Sequence, residues 1–458
     1  MSYQSIVDSH LAQFAHKRGA PHAVCAVCRD GKLLAVASQS GEGFDELVEP
    51  AGTSFRIASM TKSFAAAAIL RLRDQGKLRI DDSVADYVPE LRLTGQWQRV
   101  TVRQLLSMRS GLASADDPWA DRKLSEPDSF INSALLNQAQ FSIGPDEEYQ
   151  YSNLGYMLVG RVISNVAGAS ALDYITEQFL QPLGMDDTGW NYAEAPSVPG
   201  YRRTASGIRA ETVFHVESDL AVFAGICSTL RDLAKWIEFF TDAHRKEPSS
   251  RFGGVLAARS RREMERLQAV MHPLSSVDRV GNAMGYGYGL RGNFVGREWF
   301  VGHSGGLPGF GSHMSWSQTR RIGVIALGNV TYFRAIELCN AMWLAIQEES
   351  RRVTAPLVYG EELVVSRGRA LVEAALRGAA SLPAELFSYN VPLDEETEEL
   401  WRQVRDALRD QRAEALEVRA ERGFAGAIYG GGEPLVFFAL APAEGALIQK
   451  LGFYGEEG

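Results

Sequence analysis

Phe55-Arg56-Ile57-Ala58-Ser59-Met60-Thr61-Lys62-Ser63-Phe64-Ala65 decides how the rest of this chain is read. A short apolar stretch leads into Ser59, and an Ala-rich segment runs on to about Gln75. Gly76 then marks a helix end, as a glycine just past the last turn does. On a helix, residues i and i+3 share a face, so the spacing places the Lys62 amine within reach of the Ser59 hydroxyl. A serine hydroxyl is a poor nucleophile at neutral pH, and a neutral amine beside it can take its proton. Burial and nearby cations would lower the Lys62 pKa enough to keep some amine neutral. At a helix N-terminus the Ser59 N–H lacks an intrahelical partner and is available to a developing oxyanion. Taken alone, the pattern also describes any exposed serine and lysine on a helix. Ser59, however, is the only serine in the chain placed three residues before a lysine.

Upstream, residues 4–18 carry Ile6, Leu11 and Phe14 on one side of an amphipathic helix. Val24–Arg29 and Lys32–Ser38 flank Asp30-Gly31, a strong hairpin signal. Downstream, residues 100–200 are mostly helical. Asn153 to Val166 has Leu154, Leu158 and Val162 at helical spacing. Leu172 to Leu180 reads as a helix closed by Gln181-Pro-Leu-Gly184. Residues 110–148, rich in Asp, Ser and Pro, read as a lid. Thr229-Leu-Arg-Asp232 is a helix-start pattern before Leu233, Trp236 and Phe239. Strands return at Tyr288–Phe294, Glu298–His303, Phe310–Trp316 and Arg321–Asn329, and a helix follows from Phe333 to about Glu349. The expected fold class is α/β (α+β): one antiparallel sheet made from both ends, flanked by helices, with an all-α lobe inserted and a cleft between them. The expected domains are 1–352, a linker at 353–365, and a small α+β accessory domain at 366–458.

Of 458 residues, 45% are hydrophobic and 22% charged, as in a globular enzyme. The net charge of −9 argues against a nucleic-acid partner. No apolar run approaches ~18 residues and no signal peptide opens the chain, so no membrane insertion and a cytoplasmic location are expected. Cys25 and Cys28 have CxxC spacing, but an offset of three within a strand sends them to opposite faces. No second Cys/His pair completes a zinc site. The eight histidines show no HxH or HxxxH spacing, so neither a metal nor a cofactor is expected.

Two further motifs carry chemistry. Tyr151-Ser152-Asn153 is the only Y-x-N in the chain. A tyrosine near a lysine can serve as a general acid or base, and an asparagine amide can hold a lysine and a substrate carbonyl. His303-Ser304-Gly305, the only H-x-G, ends a strand and runs into Gly306-Leu-Pro-Gly309. Gly305 and Gly306 would let a substrate approach the backbone.

The three motifs in this order resemble the serine β-lactamase and penicillin-binding-protein superfamily, specifically its class C-like branch. Leu105-Leu-Ser-Met-Arg-Ser-Gly-Leu112, Pro182-Leu-Gly-Met185 and Gly302–Gly309 fit as well, so the resemblance covers roughly residues 5–350. It implies a β-lactamase/transpeptidase-like fold and an acyl-enzyme on Ser59. Lys62 and Tyr151 would share proton transfer, and Asn153 would orient Lys62 and the substrate. The N–H groups of Ser59 and Gly306 would form the oxyanion hole, and His303, Ser304 and Gly305 would line the substrate.

One departure matters. Most β-lactamases of this branch carry K-T-G where this chain has His303-Ser-Gly305. Histidine is mostly neutral at pH 7, which weakens the case for substrates with a carboxylate at that point. H-x-G resembles D-aminopeptidases and peptide-cyclising thioesterases. The expected activity is hydrolysis of esters or small D-residue amides, with a small-molecule or peptide acyl substrate as partner. The alternatives are a thioesterase, peptide cyclase or transpeptidase, a β-lactamase or D-Ala-D-Ala carboxypeptidase, and a binding protein without turnover. The oligomeric state is left open.

Overall fold

The Asp30-Gly31 turn folds as its sequence requires. Both residues take positive φ, 49° and 70°, the combination of a two-residue hairpin turn that matches strand twist. It joins β1 (His22–Arg29) to β2 (Lys32–Ser40). The computed structural model describes residues 2–454 apart from 94, 96, 115–138, 140, 191–197, 212–218, 272–283, 297, 354–360, 382, 388–390, 392–396, 423–424 and 441–446. Most of the segment read as a lid therefore lies outside the described residues. The chain forms two compact units, Met1–Glu349 and Ser350–Gly458.

In the first unit there follow β3 (Phe55–Arg56), the hairpin of β4 (Tyr201–Thr204) and β5 (Gly207–Ala210), and β6 (Cys227–Ser228). Then come β7 (Ala269–Met271), β8 (Met284–Tyr286), β9 (Arg291–Val295), β10 (Glu298–Leu307), β11 (Phe310–Trp316) and β12 (Ile322–Gly328). The main sheet has the order β2-β1-β12-β11-β10-β9-β8-β7, so strands from the two ends of the unit meet where β1 pairs antiparallel with β12. β7 and β8, three residues each, extend the sheet beyond what the strand patterns indicate. The strand expected from Tyr288 starts only at Arg291. Gly289 takes φ +67°, and the Gly287 N–H donates back to the Leu290 carbonyl at 2.8 Å, so this stretch turns instead of extending.

The sheet separates two hydrophobic clusters. One face packs under the helices Tyr3–Arg18 and Ala335–Val353, with Ile6, Leu11, Leu338 and Trp343 buried. The other packs under the helices Lys62–Asp74, Asn153–Ala167 and Leu230–Asp242. Cys25 belongs to the first cluster and Cys28 to the second, as strand alternation requires. All four cysteines are buried and free. Thr229 caps its helix by accepting the Asp232 N–H at 3.2 Å. The helix expected over Leu172–Leu180 is interrupted: Ala171–Ile175 gives way to a π-helical turn at Thr176–Leu180. There the Thr176 hydroxyl donates to the Leu172 carbonyl and accepts from the Trp190 indole, which perturbs the regular ladder.

The second unit is an antiparallel meander of β13 (Leu416–Arg422), β14 (Ala425–Gly430), β15 (Glu433–Leu440) and β16 (Ile448–Phe453). The helices Glu361–Leu376 and Thr397–Leu408 share its core through Val364, Leu371, Trp401, Val404 and Phe438. The first helix already occupies 361–365, part of the stretch read as a linker, because Val364 is a core residue. No helix among the described residues is long and apolar enough to cross a membrane.

Candidate active site

Ser59 sits in a 3₁₀ turn, Ala58–Thr61, that leads into the helix Lys62–Asp74. The sequence pattern suggests an α-helical start; the difference lies in Ala58, whose φ of +51° bends the chain sharply just before the serine. A residue with a Cβ in this conformation is strained. Lys62 is fully buried. Its Nζ donates to Ser59 Oγ, Asn153 Oδ1 and the Phe223 carbonyl, each at 2.9 Å. Those three acceptors satisfy the three donors of an ammonium, and none of them carries charge. Deprotonating Lys62 therefore breaks no ion pair among them. Tyr151, Tyr156 and Phe223 place their rings 5.0, 5.6 and 5.4 Å from Nζ.

Tyr151 and Asn153 flank a helix cap. Ser152 Oγ accepts the Gly155 N–H at 3.2 Å, so Ser152, not Asn153, is the N-cap, and the Asn153 amide is left to meet Lys62. Met108, at φ +58°, holds the other side of the motif. Its carbonyl accepts the Gln150 N–H at 2.8 Å and its sulfur the Ser152 N–H at 3.3 Å. Gly289 closes the floor: a Cβ there would lie 2.5 Å from the Lys62 carbonyl oxygen.

His303 is buried on β10. Its Nδ1 lies 2.6 Å from the Ser304 carbonyl, so Nδ1 carries the proton and donates. Nε2 is then the acceptor for the Tyr286 hydroxyl at 3.1 Å. Burial first, then the Arg291 and Lys62 charges, holds its pKa well below 6.5. Both ring nitrogens of a neutral His303 are thus occupied by the protein itself. It packs 6.5 Å from the Tyr151 ring without reaching Ser59 through any hydrogen bond seen here.

The neighbouring positions divide between the faces of the sheet. Ser304 was expected to line the substrate, but alternation turns its side chain away from the Ser59 face. Its hydroxyl meets His313 Nδ1 at 2.8 Å. Gly305 does face the turn that carries Ser59, and what approaches it is the protein: a Cβ would sit 2.1 Å from the Ile57 carbonyl oxygen. Pairing of β10 with β9 ends at Gly302, while pairing with β11 continues to Leu307. No strand among the described residues covers the outer edge of 303–307, and Ser304, Gly305 and Gly306 are all partly exposed there.

A model of the Beta-lactamase family matches residues 7–344. The chain belongs to this family. Among its curated relatives is Protein flp of Staphylococcus aureus (strain NCTC 8325 / PS 47), 28% identical over 337 residues. That match covers 71% of this chain and 63% of the relative, so less than two thirds of the relative's length is represented. Among solved structures, the octameric penicillin-binding protein homologue from Pyrococcus abyssi aligns with a TM-score of 0.63 and 22% identity, covering 95% of this chain and 93% of that one. The D-amino acid amidase from Ochrobactrum anthropi SV3 aligns with a TM-score of 0.61 and 23% identity, covering 76% and 98%.

For a β-lactamase-family site, the structure adds residues with no local sequence signal. Arg291, at the start of β9, places its guanidinium carbon 5.2 Å from the Tyr151 ring centre. The Phe223 carbonyl is the third acceptor for Lys62. Tyr149, beside Arg291 and Tyr286, has its pKa pushed up to about 12 by burial. Among the described residues, no group of three or more His, Cys, Asp or Glu is placed to hold a metal.

Proposed function

We propose that this chain is a serine hydrolase that forms an acyl-enzyme on Ser59 and acts on esters or small amides of D residues. The observation that carries the reading is the 2.9 Å contact between the buried Lys62 Nζ and Ser59 Oγ. In the reacting state neutral Lys62 takes the Ser59 proton as Oγ bonds to the substrate carbonyl carbon. The carbonyl oxygen becomes an oxyanion held by the N–H groups of Ser59 and Gly306. The tetrahedral intermediate expels the leaving group, which receives a proton from the Lys62–Tyr151 pair. Water then attacks the acyl carbon, its proton returns through the same pair, and the acid leaves. Lys62 and Tyr151 share the proton transfers in this mechanism, so neither is assigned a proton alone. Asn153 orients Lys62. His303, neutral and doubly hydrogen-bonded, positions Tyr286 beside Tyr151.

The D-residue preference draws on the H-x-G motif and on the amidase among the structural neighbours. A second reading, a β-lactamase or D-Ala-D-Ala carboxypeptidase activity, is favoured by Arg291, which brings a cation to the Tyr151 side of the site. The test is direct. A fluorophosphonate should label Ser59 in a 1:1 ratio, and Ser59→Ala should abolish both labelling and p-nitrophenyl ester turnover; turnover retained by that variant refutes the mechanism. A panel of D- and L-aminoacyl amides, a D-Ala-D-Ala peptide and a chromogenic cephalosporin then separates the two readings.

A further inference from the structure

Gly285 on β8 and Gly292 on β9 stand directly opposite each other, on the face of the sheet that also carries Val301 and Trp316. Two glycines side by side leave a depression in that face, and two apolar side chains lie across it. A Cβ on Gly285 would sit 2.6 Å from Leu267 Cδ1, and one on Gly292 would sit 2.0 Å from Trp299 Cζ2. Neither side chain is buried by this contact: Leu267 is 41% exposed and Trp299 is partly exposed. Together they form the apolar part of a cavity of about 490 Å³. Trp299 shares its face of β10 with His303, but four residues of strand, about 13 Å, separate the two. None of the residues lining the cavity belongs to the Ser59 site.

The polar part comes from the ends of two helices. His244 follows the helix Leu230–Asp242, and Arg262 and Glu265 belong to the helix Ala258–Glu265, which Arg266 terminates. Glu265 is the one acid in the lining, and both of its oxygens are occupied. Oε2 bonds to His244 Nε2, and Oε1 accepts the Trp316 indole N–H at 2.7 Å. The next acid along β10, Glu298, is held by the Arg320 guanidinium, whose Nε lies 2.8 Å from its Oε2. The donors are in the opposite condition. Arg262 uses one nitrogen on the Ala243 carbonyl and keeps the rest of its fork. Neither the Arg266 guanidinium nor the Gln318 side-chain amide, which also lines the cavity, donates to another described residue.

We infer that this cavity is a binding site for a small aromatic anion, with the carboxylate or phosphate group on Arg262 and Arg266 and the ring against Trp299. Arginine forks match the paired oxygens of carboxylate and phosphate. With Glu265 already bonded on both oxygens, no acid of the lining competes for them. An indole accepts a second ring by offset stacking or edge contact, and the glycine floor leaves the depth that a flat ring needs. The site is independent of the acyl-enzyme reading of Ser59.

The test is calorimetric titration of the full chain with phenyl phosphate and with phenylacetate, set against inorganic phosphate and benzyl alcohol. At least one of the two aryl anions should saturate with a Kd of about 1 mM or tighter, and both controls should bind at least about tenfold more weakly than that anion, because each offers only half of the contacts. Arg266→Gln should weaken aryl-anion binding about tenfold, the loss of one charge-assisted contact. Trp299→Leu should weaken it about two- to tenfold, the loss of one aromatic contact. Arg266 is exposed, so its variant should melt at the wild-type temperature and carries the test even where Trp299→Leu loses stability. Arg291→Met alters the cation beside Tyr151 and should leave the Kd unchanged. The inference is overturned if neither aryl anion saturates, if inorganic phosphate binds as tightly as phenyl phosphate, or if Arg266→Gln keeps the wild-type Kd. A loss found in Arg291→Met and not in Arg266→Gln also overturns it, since the anion would then sit beside Ser59.

Discussion

Replacing Gly305 by alanine asks whether β10 and the nucleophile turn move as one unit. The new Cβ would lie 2.1 Å from the Ile57 carbonyl oxygen, 2.4 Å from Ser312 Oγ and 2.9 Å from the Ala58 Cβ. None of these can step aside cheaply. Ile57 O is backbone and already accepts the Ser312 hydroxyl at 2.7 Å, and Ala58 is held at positive φ. Clearing the contact takes a shift of about 1 Å, and overpacking of this sort costs about 1–3 kcal/mol. At roughly 2–4 °C per kcal/mol for a domain of this class, the melting temperature should fall by about 5 °C. The larger effect is catalytic. Ile57 lies two residues before Ser59, and a displacement of about 1 Å at a reacting group costs about 10²-fold in rate. Gly306→Ala is the control, because its Cβ meets only the half-exposed Tyr332 ring, which can rotate away. The assay is kcat/KM on a p-nitrophenyl ester, with calorimetric melting of each variant. Wild-type kcat/KM in Gly305→Ala, or equal loss of melting temperature in the two variants, would refute the reasoning.

Lys62→Met keeps the apolar stem of a fully buried side chain but removes three donated hydrogen bonds; kcat should drop at least ~10²-fold, and a smaller drop in a folded variant would remove Lys62 from the proton-transfer role. Acidification should destabilise the protein: burial holds the His303 pKa well below 6.5 and lowers that of His313 to about 3. The unfolded chain then binds more protons, so stability is complete above about pH 6.5 and declines as pH falls from there toward the folded values, by about 2 kcal/mol for His313 at pH 5 with a further loss from His303; denaturant titrations at pH 7 and 5 should show the loss, and His313→Asn should make it smaller by about 2 kcal/mol. Arg291→Met should raise KM more for a D-Ala-D-Ala peptide than for an uncharged ester, by about tenfold in the ratio; an unchanged ratio would discount the carboxylate-bearing substrates.

Much of the fold is legible because it is local. Asp30-Gly31 encodes its own turn, Thr229 its own cap, and alternation alone places Cys25 and Cys28 on opposite faces. The short β7 and β8 escape notice because three residues are too few to show a period, and one of the three in β8 is a glycine. In the site, the spacing of Ser59 and Lys62 is written in the chain, but the Phe223 carbonyl and Arg291 arrive by tertiary contact and leave no pattern. Ser304 is different, for the signal was there. Three consecutive strand residues cannot all turn their side chains into one cleft, and the period of two that separates Cys25 from Cys28 also sends Ser304 to His313. Likewise the glycines of the third motif suggest room for a substrate, when what Gly305 makes room for is the backbone beside Ser59.

The placement of charge follows from that geometry. A histidine at position 303 could in principle supply the cation that a lysine supplies in related enzymes. Here its Nδ1 proton is directed to the Ser304 carbonyl and its Nε2 is filled by the Tyr286 hydroxyl. Protonating Nε2 would require the Tyr286 hydroxyl to turn from donor to acceptor, in a buried position near Lys62 and Arg291. Burial and the two cations oppose the charged form and outweigh the Ser304 carbonyl, which favours it. The positive charge beside Tyr151 comes instead from Arg291, on the adjacent strand, and from Lys62 when protonated. Arginine does not give up its proton in this pH range. In the proposed mechanism the site therefore separates two tasks: Arg291 is a permanent cation on β9 outside the proton transfers, and Lys62 and Tyr151 carry the proton. On that division, acid inactivation of turnover should follow protonation of the pair, and His303 should enter only through its effect on stability.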